Sequence, residues 1–387
     1  MPVIAAIEPV VVHVSPKTNW TFIGVTMDDS ATGWGECSLN GWEPLLVAAA
    51  EMHARRWIGR TLDEAIALTR YLPHAPGGVV VQTVNSAVEQ AATDLRARAA
   101  GVPVSTLLGS ASRTSIPAYA NINRCVAERS ASGFADAARR AVAAGYRVVK
   151  LAPFDGVVSQ DAPETPIEEL TRAGLDRVYA VREAIGGEHH LLVDCHWRFD
   201  EARAQAMLRD VAGAAPYWIE CPISEHPSQF PAIARLRGVA NSLGVRLAGG
   251  EWLLSAGQAE AMCVANLYDV LMPDIKYAGG FSGMLEIAEV CKRHGVAFSP
   301  HNPTGPIAHL ASVHVSAIAS CLLWLEHQWR ESDLFDDLLG GDIAPLRNGE
   351  FVVPQRPGLG ATLRRCVAAR HPFAELHGQA NLDERLG

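Results

Sequence analysis

The sequence predicts an α/β protein in which an α+β domain precedes a closed barrel of alternating strands and helices. Two observations support this prediction. Residues 3–37 alternate apolar runs with turns, and residues 43–110 have long stretches of Ala, Leu, Glu and Arg. From about residue 116, short apolar runs alternate with segments of helical length, and this repetition is typical of a parallel sheet.

The first domain is expected to open with an antiparallel sheet and to continue with helices. The apolar runs at residues 10–14 and 20–26 are followed by turn residues at 28–33, which is typical of strands joined by short loops. Within the helical part, residues 85–99 have the most regular pattern. We therefore predict a three-stranded meander covered by helices.

The barrel prediction depends on the number of strand-like runs in the middle of the chain. These runs lie at residues 148–151, 191–194, 217–220, 245–248, 270–272 and 296–299. Six or more such units over about 210 residues fit a closed barrel better than an open sheet, although periodicity alone leaves the open sheet possible. The chain after residue 334 is rich in loops, with a last helix predicted at 361–369.

Composition excludes several classes of protein. Of the 387 residues 49% are apolar, and the net charge of −9 comes without a basic block, which argues against nucleic-acid binding. The most apolar stretch, 307–325, contains two histidines and three serines, so we predict a buried helix and a strand there rather than a membrane span. The N-terminus has no signal-peptide pattern, and eight cysteines without zinc spacing predict reduced thiols in a cytoplasmic protein.

Polar residues fall where the predicted barrel strands end. They are Lys150, Asp194, Glu220, Glu251, Asp274 and His301. The carboxyl ends of barrel strands converge on one mouth, where active sites are built. A single carboxylate after a strand often caps the next helix. The alternative explanation is therefore that the acidic residues at the ends of three successive strands are three helix caps.

The first three acidic residues form a candidate metal site. Asp194, Glu220 and Glu251 offer only oxygen ligands, which suit Mg²⁺ better than zinc. A divalent ion there would neutralise part of their charge and could bind a substrate carboxylate, stabilising the dianion that forms when an α-proton leaves.

Two histidines are candidates for proton transfer. Asp274 and His301 lie on neighbouring predicted strands, and a carboxylate bonded to one imidazole nitrogen raises the basicity of the other. His301 is therefore a candidate general base, with a purely structural pair as the alternative. His196 lies two residues after Asp194 and should face the same mouth, where it would act as an acid or as a binding residue.

Two further charged residues complete the predicted mouth. Lys150 ends the second predicted barrel strand and Glu326 lies on the last one. An ammonium near the metal would stabilise an enediolate oxygen, and Glu326 would hydrogen-bond the substrate. For both residues a simple counter-ion role is the alternative.

Together these residues resemble the enolase superfamily and, within it, the mandelate racemase subgroup. The resemblance covers nearly the whole chain and rests on the order of its motifs. They are Trp34-Gly35-Glu36, Leu192-Val193-Asp194, Trp218-Ile219-Glu220-Cys221-Pro222, Gly249-Gly250-Glu251, Pro273-Asp274 to Gly280, Ser299-Pro300-His301 and Pro357-Gly358-Leu359-Gly360.

The resemblance implies a modified (β/α)₇β barrel with an N-terminal α+β capping domain. It divides the chain into a capping domain at 1–115, a barrel at 116–330 and a segment at 331–387 that returns to the cap. It also implies Mg²⁺ on Asp194, Glu220 and Glu251, a dyad of Asp274 and His301, and a homo-oligomer. The chemistry it implies is abstraction of the proton α to a carboxylate.

The sequence departs from the family pattern in informative ways. The second lysine of the family's Lys-x-Lys is Ala152 here, which argues against a two-base racemase. Asp194-Cys195-His196 resembles the Asp-x-His of acid-sugar dehydratases, in which the histidine is the acid. The 31-residue interval from Glu220 to Glu251 is longer than usual by about a turn of helix, which we interpret as an insertion.

The predicted function is dehydration of an aldonate or aldarate to a 2-keto-3-deoxy acid. Substrate contacts are predicted for residues of the cap, the barrel mouth and the loop after Asp274, namely Asn19, Trp20, Asn121, Asn123 and Lys276. A cycloisomerase or epimerase with the same single base is the alternative within catalysis. A non-catalytic sugar-acid-binding relative is the alternative outside it. No nucleic-acid or membrane partner is expected.

Overall fold

The computed structural model describes residues 2–70, 78–158, 166–341 and 344–376. Within these ranges the chain forms a small α+β domain, a parallel barrel and a C-terminal segment that contacts both. No helix in the described ranges is long and apolar enough to cross a membrane. Residues 307–325 instead form a buried helix followed by the last barrel strand, as predicted.

The capping domain is an antiparallel meander packed on helices. Its elements are β1 (Ile4–Ser15), β2 (Thr18–Met27), β3 (Thr32–Glu36), α1 (Glu43–His53), α2 (Leu62–Arg70), α3 (Gly78–Ala99) and α4 (Val104–Leu108). β2 lies between β1 and β3 in the sheet. Gly35 lets β3 approach α3, because a Cβ at this position would lie 1.9 Å from the backbone oxygen of Ala87.

The parallel strands of the barrel close on themselves. They are β4 (Ser115–Asn121), β5 (Val148–Leu151), β6 (His190–Asp194), β7 (Trp218–Glu220), β8 (Arg246–Gly249), β9 (Val270–Leu271), β10 (Ala297–Phe298) and β11 (Leu325–Gln328). Neighbours pair in chain order, and β11 returns to pair with β4. A parallel bridge between Phe298 and Leu322 closes the barrel between β10 and the approach to β11.

Helices cover the outside of the barrel between successive strands. They are α5 (Ala131–Ala143), α6 (Ile167–Ile185), α7 (Glu201–Val211), α8 (Phe230–Ser242), α9 (Ala256–Val264), α10 (Gly280–His294) and α11 (Pro306–Ile318). Each places apolar side chains against the strands, and α11 is buried over almost its whole length. This strand–helix alternation is the architecture that the spacing of apolar runs predicts.

The C-terminal segment joins the two domains. Its elements are α12 (Leu334–Asp337), β12 (Leu339–Gly341), β13 (Leu346–Arg347), β14 (Glu350–Val352), β15 (Ala361–Leu363) and α13 (Arg365–Ala368). β14 pairs with the start of β4, and the backbone of His371 accepts a hydrogen bond from His13 in β1. The helix predicted at 361–369 begins only at Arg365, because Ala361–Leu363 pair with β12 and this tertiary pairing overrides local propensity.

Candidate active site

Side chains that point into the barrel form two layers of different chemistry. The lower layer is apolar and includes Tyr119, Val148, Leu192, Trp218, Ala248 and Val270. Two residues further along their strands, the inward positions are Asn121, Lys150, Asp194 and Glu220. Because side chains alternate along a strand, the apolar layer closes the barrel from below, and the charged residues face its carboxyl-terminal mouth.

Lys150 lies at the centre of the charged layer. Its Nζ is 2.8 Å from Glu220 Oε1, 2.8 Å from Glu326 Oε1 and 3.7 Å from Asp194 Oδ2. Only 1% of the residue is exposed. Burial alone would lower the pKa of Lys150, but the charges of Glu220 and Glu326 raise it well above its usual value. The side chain is therefore a fixed positive charge among carboxylates.

The three predicted metal ligands lie on neighbouring elements at the mouth. Asp194 is directly opposite Glu220 in the register of β6 and β7, and Glu251 follows the end of β8. All three are buried. Burial, and then the charge of Asp194, raise the pKa of Glu220 well above its usual value. For Asp194 burial works in the same direction, but His196 and Lys150 outweigh it and hold its pKa below the usual range.

These carboxylates suit Mg²⁺ in donor chemistry and in charge, but their spacing in this structure is not that of a closed ligand set. Their ligand atoms are all oxygen, which magnesium prefers, and a divalent ion would neutralise part of their negative charge. In the described ranges no three His, Cys, Asp or Glu side chains converge closely enough to hold a metal ion. The oxygens face positively charged or imidazole groups instead: Glu220 contacts Lys150, and Glu251 contacts His301.

Asp274 and His301 form a hydrogen-bonded pair across the mouth. His301 Nδ1 is 2.8 Å from Asp274 Oδ2, and its Nε2 is 3.3 Å from Glu251 Oε2. The pair joins the loops after β9 and β10, as their positions in the sequence predict. Burial would lower the pKa of His301, but the charge of Glu251 and the hydrogen bond that His301 donates to Asp274 raise it above its usual value. The contact with Asp274 leaves Nε2 as the nitrogen that faces the cluster.

Lys276 also binds Asp274. Its Nζ lies 2.5 Å from Asp274 Oδ2, the same oxygen that contacts His301, and its backbone N–H donates to Oδ1. Only 3% of the residue is exposed. Burial would raise the pKa of Asp274, but Lys276 and His301 hold it below its usual range. The structure therefore pairs Lys276 with the aspartate of the dyad, while its substrate contact stays a prediction.

His196 reaches the mouth by a different route from the one predicted. The strand ends at Asp194, and His196 adopts a left-handed conformation with φ of 48°. Its backbone N–H donates to Asp194 Oδ1, and its Nε2 lies 3.0 Å from Asp194 Oδ2. The side chain is 39% exposed. It is thus next to the carboxylate cluster and open to solvent, which suits a group that exchanges protons.

The two asparagines after β4 have different surroundings. Asn121 Nδ2 donates to Glu326 Oε1 at 2.8 Å, so it lies in the mouth. Asn123 Oδ1 accepts a hydrogen bond from Arg129, which also contacts Asp155 and so ties the loop after β4 to the loop after β5. Asn121 therefore joins the charged layer, whereas the side chain of Asn123 is part of a loop clamp.

Asn19 and Trp20 are held by the capping domain and the C-terminal segment. Asn19 Oδ1 contacts His13 Nδ1, and its Nδ2 donates to the backbone oxygen of Ala374. Trp20 is 1% exposed and packs edge-on against Phe335. In the described contacts neither side chain meets the carboxylate cluster, so the structure does not bring them together with the other predicted site residues.

Glu225 is a residue of the mouth that the sequence reasoning missed. Its Oε1 accepts the backbone N–H of Gly250 at 2.6 Å, directly before Glu251. Burial raises the pKa of Glu225 to about 7. Gly249 leaves room for this contact, since a Cβ there would lie 2.6 Å from Glu225 Oε1. The paired glycines before Glu251 were a possible signal, because they indicate a close approach by another group.

The sequence matches two family profiles over most of its length. Residues 3–109 match the mandelate racemase/muconate lactonizing enzyme N-terminal domain, and residues 133–367 match the enolase C-terminal domain-like family. Two curated relatives are dehydratases by name. A D-gluconate dehydratase of Thermoproteus tenax is 29% identical and aligns with 96% of this chain and 74% of its own. A D-galactonate dehydratase of Xanthomonas oryzae is 26% identical, with 91% and 90% covered.

A solved structure has the same architecture. A protein from Labrenzia alexandrii DFL-11, described as a mandelate racemase/muconate lactonizing enzyme, superposes with a TM-score of 0.86. The sequences are 25% identical, and the match covers 97% of each chain. The predicted fold, a modified barrel with an N-terminal capping domain, is thereby confirmed.

Proposed function

The chain belongs to the mandelate racemase/muconate lactonizing enzyme family of the enolase superfamily, and from that premise we propose that it is a Mg²⁺-dependent acid-sugar dehydratase. The substrate is an aldonate or an aldarate, and the reaction is that of a hydro-lyase. The observation that supports this best is the His301–Asp274 pair beside a cluster of oxygen ligands. The dehydratases of Thermoproteus tenax and Xanthomonas oryzae support the same substrate class.

In this proposal Asp194, Glu220 and Glu251 hold the magnesium ion. When bound, the ion supplies positive charge for the substrate carboxylate and for the negative charge that develops as the α-proton leaves. Glu225 holds the backbone in front of Glu251 through Gly250. Lys150 remains the positive charge between Glu220 and Glu326.

His301 is the proposed base. Asp274 holds its Nδ1, so Nε2 faces the mouth and takes the α-proton. A bound carboxylate partner fixes the tautomer and raises the basicity of the other nitrogen. The C–H electron pair passes into the substrate, where the Lys150 ammonium and the Asn121 amide stabilise the enediolate. Asn121 is placed for this role by its hydrogen bond to Glu326. Glu326 accepts a hydrogen bond from a substrate hydroxyl.

His196 is the proposed acid. It donates a proton to the 3-hydroxyl, which leaves as water with the electron pair of its C–O bond. The enol that remains tautomerises to a 2-keto-3-deoxy acid, so one proton is taken by His301 and one is given by His196. The exposure of His196 allows it to recover its proton from solvent.

Ala152 restricts the chemistry to one face of the substrate. It is buried where the family pattern has its second lysine, so no base stands at that position. This supports elimination rather than a two-base racemisation. A cycloisomerase or epimerase that uses the same base remains the second candidate.

The test is a screen of purified protein with Mg²⁺ against a library of aldonates and aldarates. We expect 2-keto-acid formation from one or a few stereoisomers, measured by semicarbazide absorbance, with loss of water seen by mass spectrometry. An isomer of unchanged mass would instead identify a cycloisomerase or epimerase. Solvent deuterium at the α-carbon without a keto acid would keep His301 as the base and would favour a cycloisomerase or epimerase over a dehydratase.

The remaining proposals concern the whole protein. We place it in the cytoplasm, because all eight cysteines are free thiols and disulfides are rare there. We propose domain boundaries at 1–115, 116–330 and 331–387, with the last segment returning to the cap, and a homo-oligomeric assembly. Limited proteolysis tests the boundaries, and light scattering after size-exclusion chromatography tests the assembly.

A further inference from the structure

Two helices of the barrel start at a glycine, which has no side chain to cap them. The N-cap of α10 is Gly279 and that of α11 is Gly305. By contrast, α5, α7 and α9 are capped by Ser130, Asp200 and Ser255. The first N–H groups of a helix have no partner within the helix, so α10 and α11 need acceptors from elsewhere.

The acceptor at α11 is Glu36, the last residue of β3 in the capping domain. Its Oε1 accepts hydrogen bonds from Gly305 N at 2.8 Å and Thr304 Oγ1 at 2.6 Å, and its Oε2 accepts from Ala308 N at 2.9 Å. Glu36 is fully buried. Gln90 of α3 holds the backbone of Glu36 from the other side. A carboxylate at a helix N-terminus is also favoured by the helix dipole.

The acceptor at α10 is Glu89, in the middle of α3. Its Oε2 accepts from Phe281 N at 2.8 Å, and its Oε1 accepts from the backbone and hydroxyl of Ser282. Only 1% of the residue is exposed. The capping domain thus supplies a carboxylate to each of the two barrel helices that begin at a glycine N-cap.

The glycines at these starts make room for the carboxylates. A Cβ at Gly305 would lie 2.8 Å from Glu36 Oε1, and a Cβ at Gly280 would lie 2.2 Å from Glu89 Oε2. A capping serine or aspartate at position 305 would therefore compete with Glu36 for the same space. The helix starts are built for a partner from the other domain.

These two helices directly follow the loops that carry the dyad. Asp274 lies five residues before Gly279, and His301 lies four residues before Gly305. The loops also contact each other, since His301 N donates to the backbone oxygen of Pro273 at 3.1 Å. Each dyad residue is thus four or five residues from a helix start that the capping domain holds.

We infer that Glu36 and Glu89 are positioning residues, which set the geometry of the His301–Asp274 pair by fixing the starts of α11 and α10. The expected fall in kcat rests on the proposed function, whereas the expected change in the His301–Asp274 distance does not. Misplacing a reacting group by about 1 Å can cost about a hundredfold in rate, so loosening either helix start would reduce the chemical step.

The test compares Glu36→Gln and Glu89→Gln with Asp94→Asn. The control residue is a buried carboxylate of α3 that accepts a backbone N–H from Leu359 in the C-terminal segment, away from the dyad. We expect kcat to fall about 10- to 100-fold in each glutamine variant with KM nearly unchanged, and the isotope effect of α-deuterated substrate to increase. In Asp94→Asn the melting temperature falls but kcat stays.

A second measurement keeps the test independent of the substrate. Crystal structures of the variants should show the His301 Nδ1 to Asp274 Oδ2 distance lengthened beyond hydrogen bonding in at least one glutamine variant, and unchanged in Asp94→Asn. The distance between His301 and Asp274 can be measured even if no substrate is found. In that case the proposed function would be wrong, but the positioning role of Glu36 and Glu89 would still be tested. Wild-type kcat and dyad distance in both glutamine variants would overturn the inference, whatever happened to their stability.

Discussion

At the scale of single residues, one carboxylate oxygen has two partners. Asp274 Oδ2 contacts both His301 Nδ1 and Lys276 Nζ. A buried lysine beside the dyad aspartate lowers the pKa of that carboxyl and keeps it ionised, so the aspartate can accept from the imidazole rather than donate to it. Lys276 therefore contributes to the dyad through Asp274.

The base assignment predicts the behaviour of His301→Asn. We expect dehydration to fall by about 10³-fold or more, since general-base catalysis contributes about 10²–10⁴-fold. Mg²⁺ affinity should be retained, because His301 is not among the three proposed ligands. Semicarbazide assays and calorimetric titration with Mg²⁺ measure the two quantities. Full dehydration by this variant would exclude His301 as the base.

The acid assignment predicts a different result for His196→Asn. This change should slow loss of water by about 10²-fold while leaving exchange of the α-proton with solvent, because proton removal depends on His301. Deuterium incorporation into unreacted substrate, followed by mass spectrometry, separates the two steps. Equal loss of exchange and dehydration would mean that His196 acts before or during proton removal instead.

At the scale of elements, the sequence predicts which side chains at the strand ends face the barrel mouth. It does not predict the conformation of the turns that follow the strands. The inward positions of Lys150, Asp194 and Glu220 follow from strand alternation, which is a property of sequence spacing. His196 reaches Asp194 only because its φ is 48°, and no spacing rule predicts that turn. Glu225 and Gly250 are 25 residues apart in the sequence, and their contact is therefore visible only in the folded structure.

The helix α11 carries a buried histidine that makes stability depend on pH. His314 Nδ1 accepts from Ser105 N, and its Nε2 contacts the backbone oxygen of Leu359. Burial lowers the pKa of His314 to about 4, against 6.5 in its ordinary state. Between these two pH values the unfolded chain binds more protons than the folded protein does. The contribution of His314 to the free energy of unfolding is therefore present above pH 6.5 and is lost as the pH falls toward 4.

We therefore expect wild-type protein to lose about 2 kcal/mol more unfolding free energy than His314→Gln between about pH 7.5 and pH 5. The difference between the two proteins isolates His314 from other buried histidines such as His309 and His327, whose pKa values burial also lowers. Urea unfolding at the two pH values measures it. The same pH dependence in both proteins would show that His314 does not cause it.

At the scale of the whole molecule, the barrel supplies the candidate catalytic side chains, and the capping domain supplies carboxylates that cap two of the barrel helices next to them. Glu36 and Glu89 reach α11 and α10 from sequence more than 190 residues away. The sequence contains both glutamates, and the Gly-Glu pair at the end of β3 matches a family motif, but only the fold shows what they bind. The family resemblance thus predicted the architecture and the dyad, while the connection between the domains came from three-dimensional contacts.

Metal binding should stabilise the whole molecule if Asp194, Glu220 and Glu251 hold the ion. A ligand that binds only the folded state stabilises by RT ln(1 + [L]/Kd), which is about 2.7 kcal/mol at a hundredfold excess over Kd. We expect Mg²⁺ to raise the melting temperature of the wild-type protein and EDTA to reverse the effect. The physical reason is that the bound cation reduces the repulsion between the buried carboxylates, which stabilises the folded state.

Glu251→Gln removes one of the three charges and should abolish most of this Mg²⁺-dependent shift. The matched control is Glu260→Gln, which removes a carboxylate from the outer surface of α9, where it pairs with Arg293 and His294. The control should respond to Mg²⁺ as the wild type does, even if its baseline melting temperature changes. Equal responses of Glu251→Gln and wild type would place the metal elsewhere, and the carboxylate cluster would then serve only to hold Lys150 and His301.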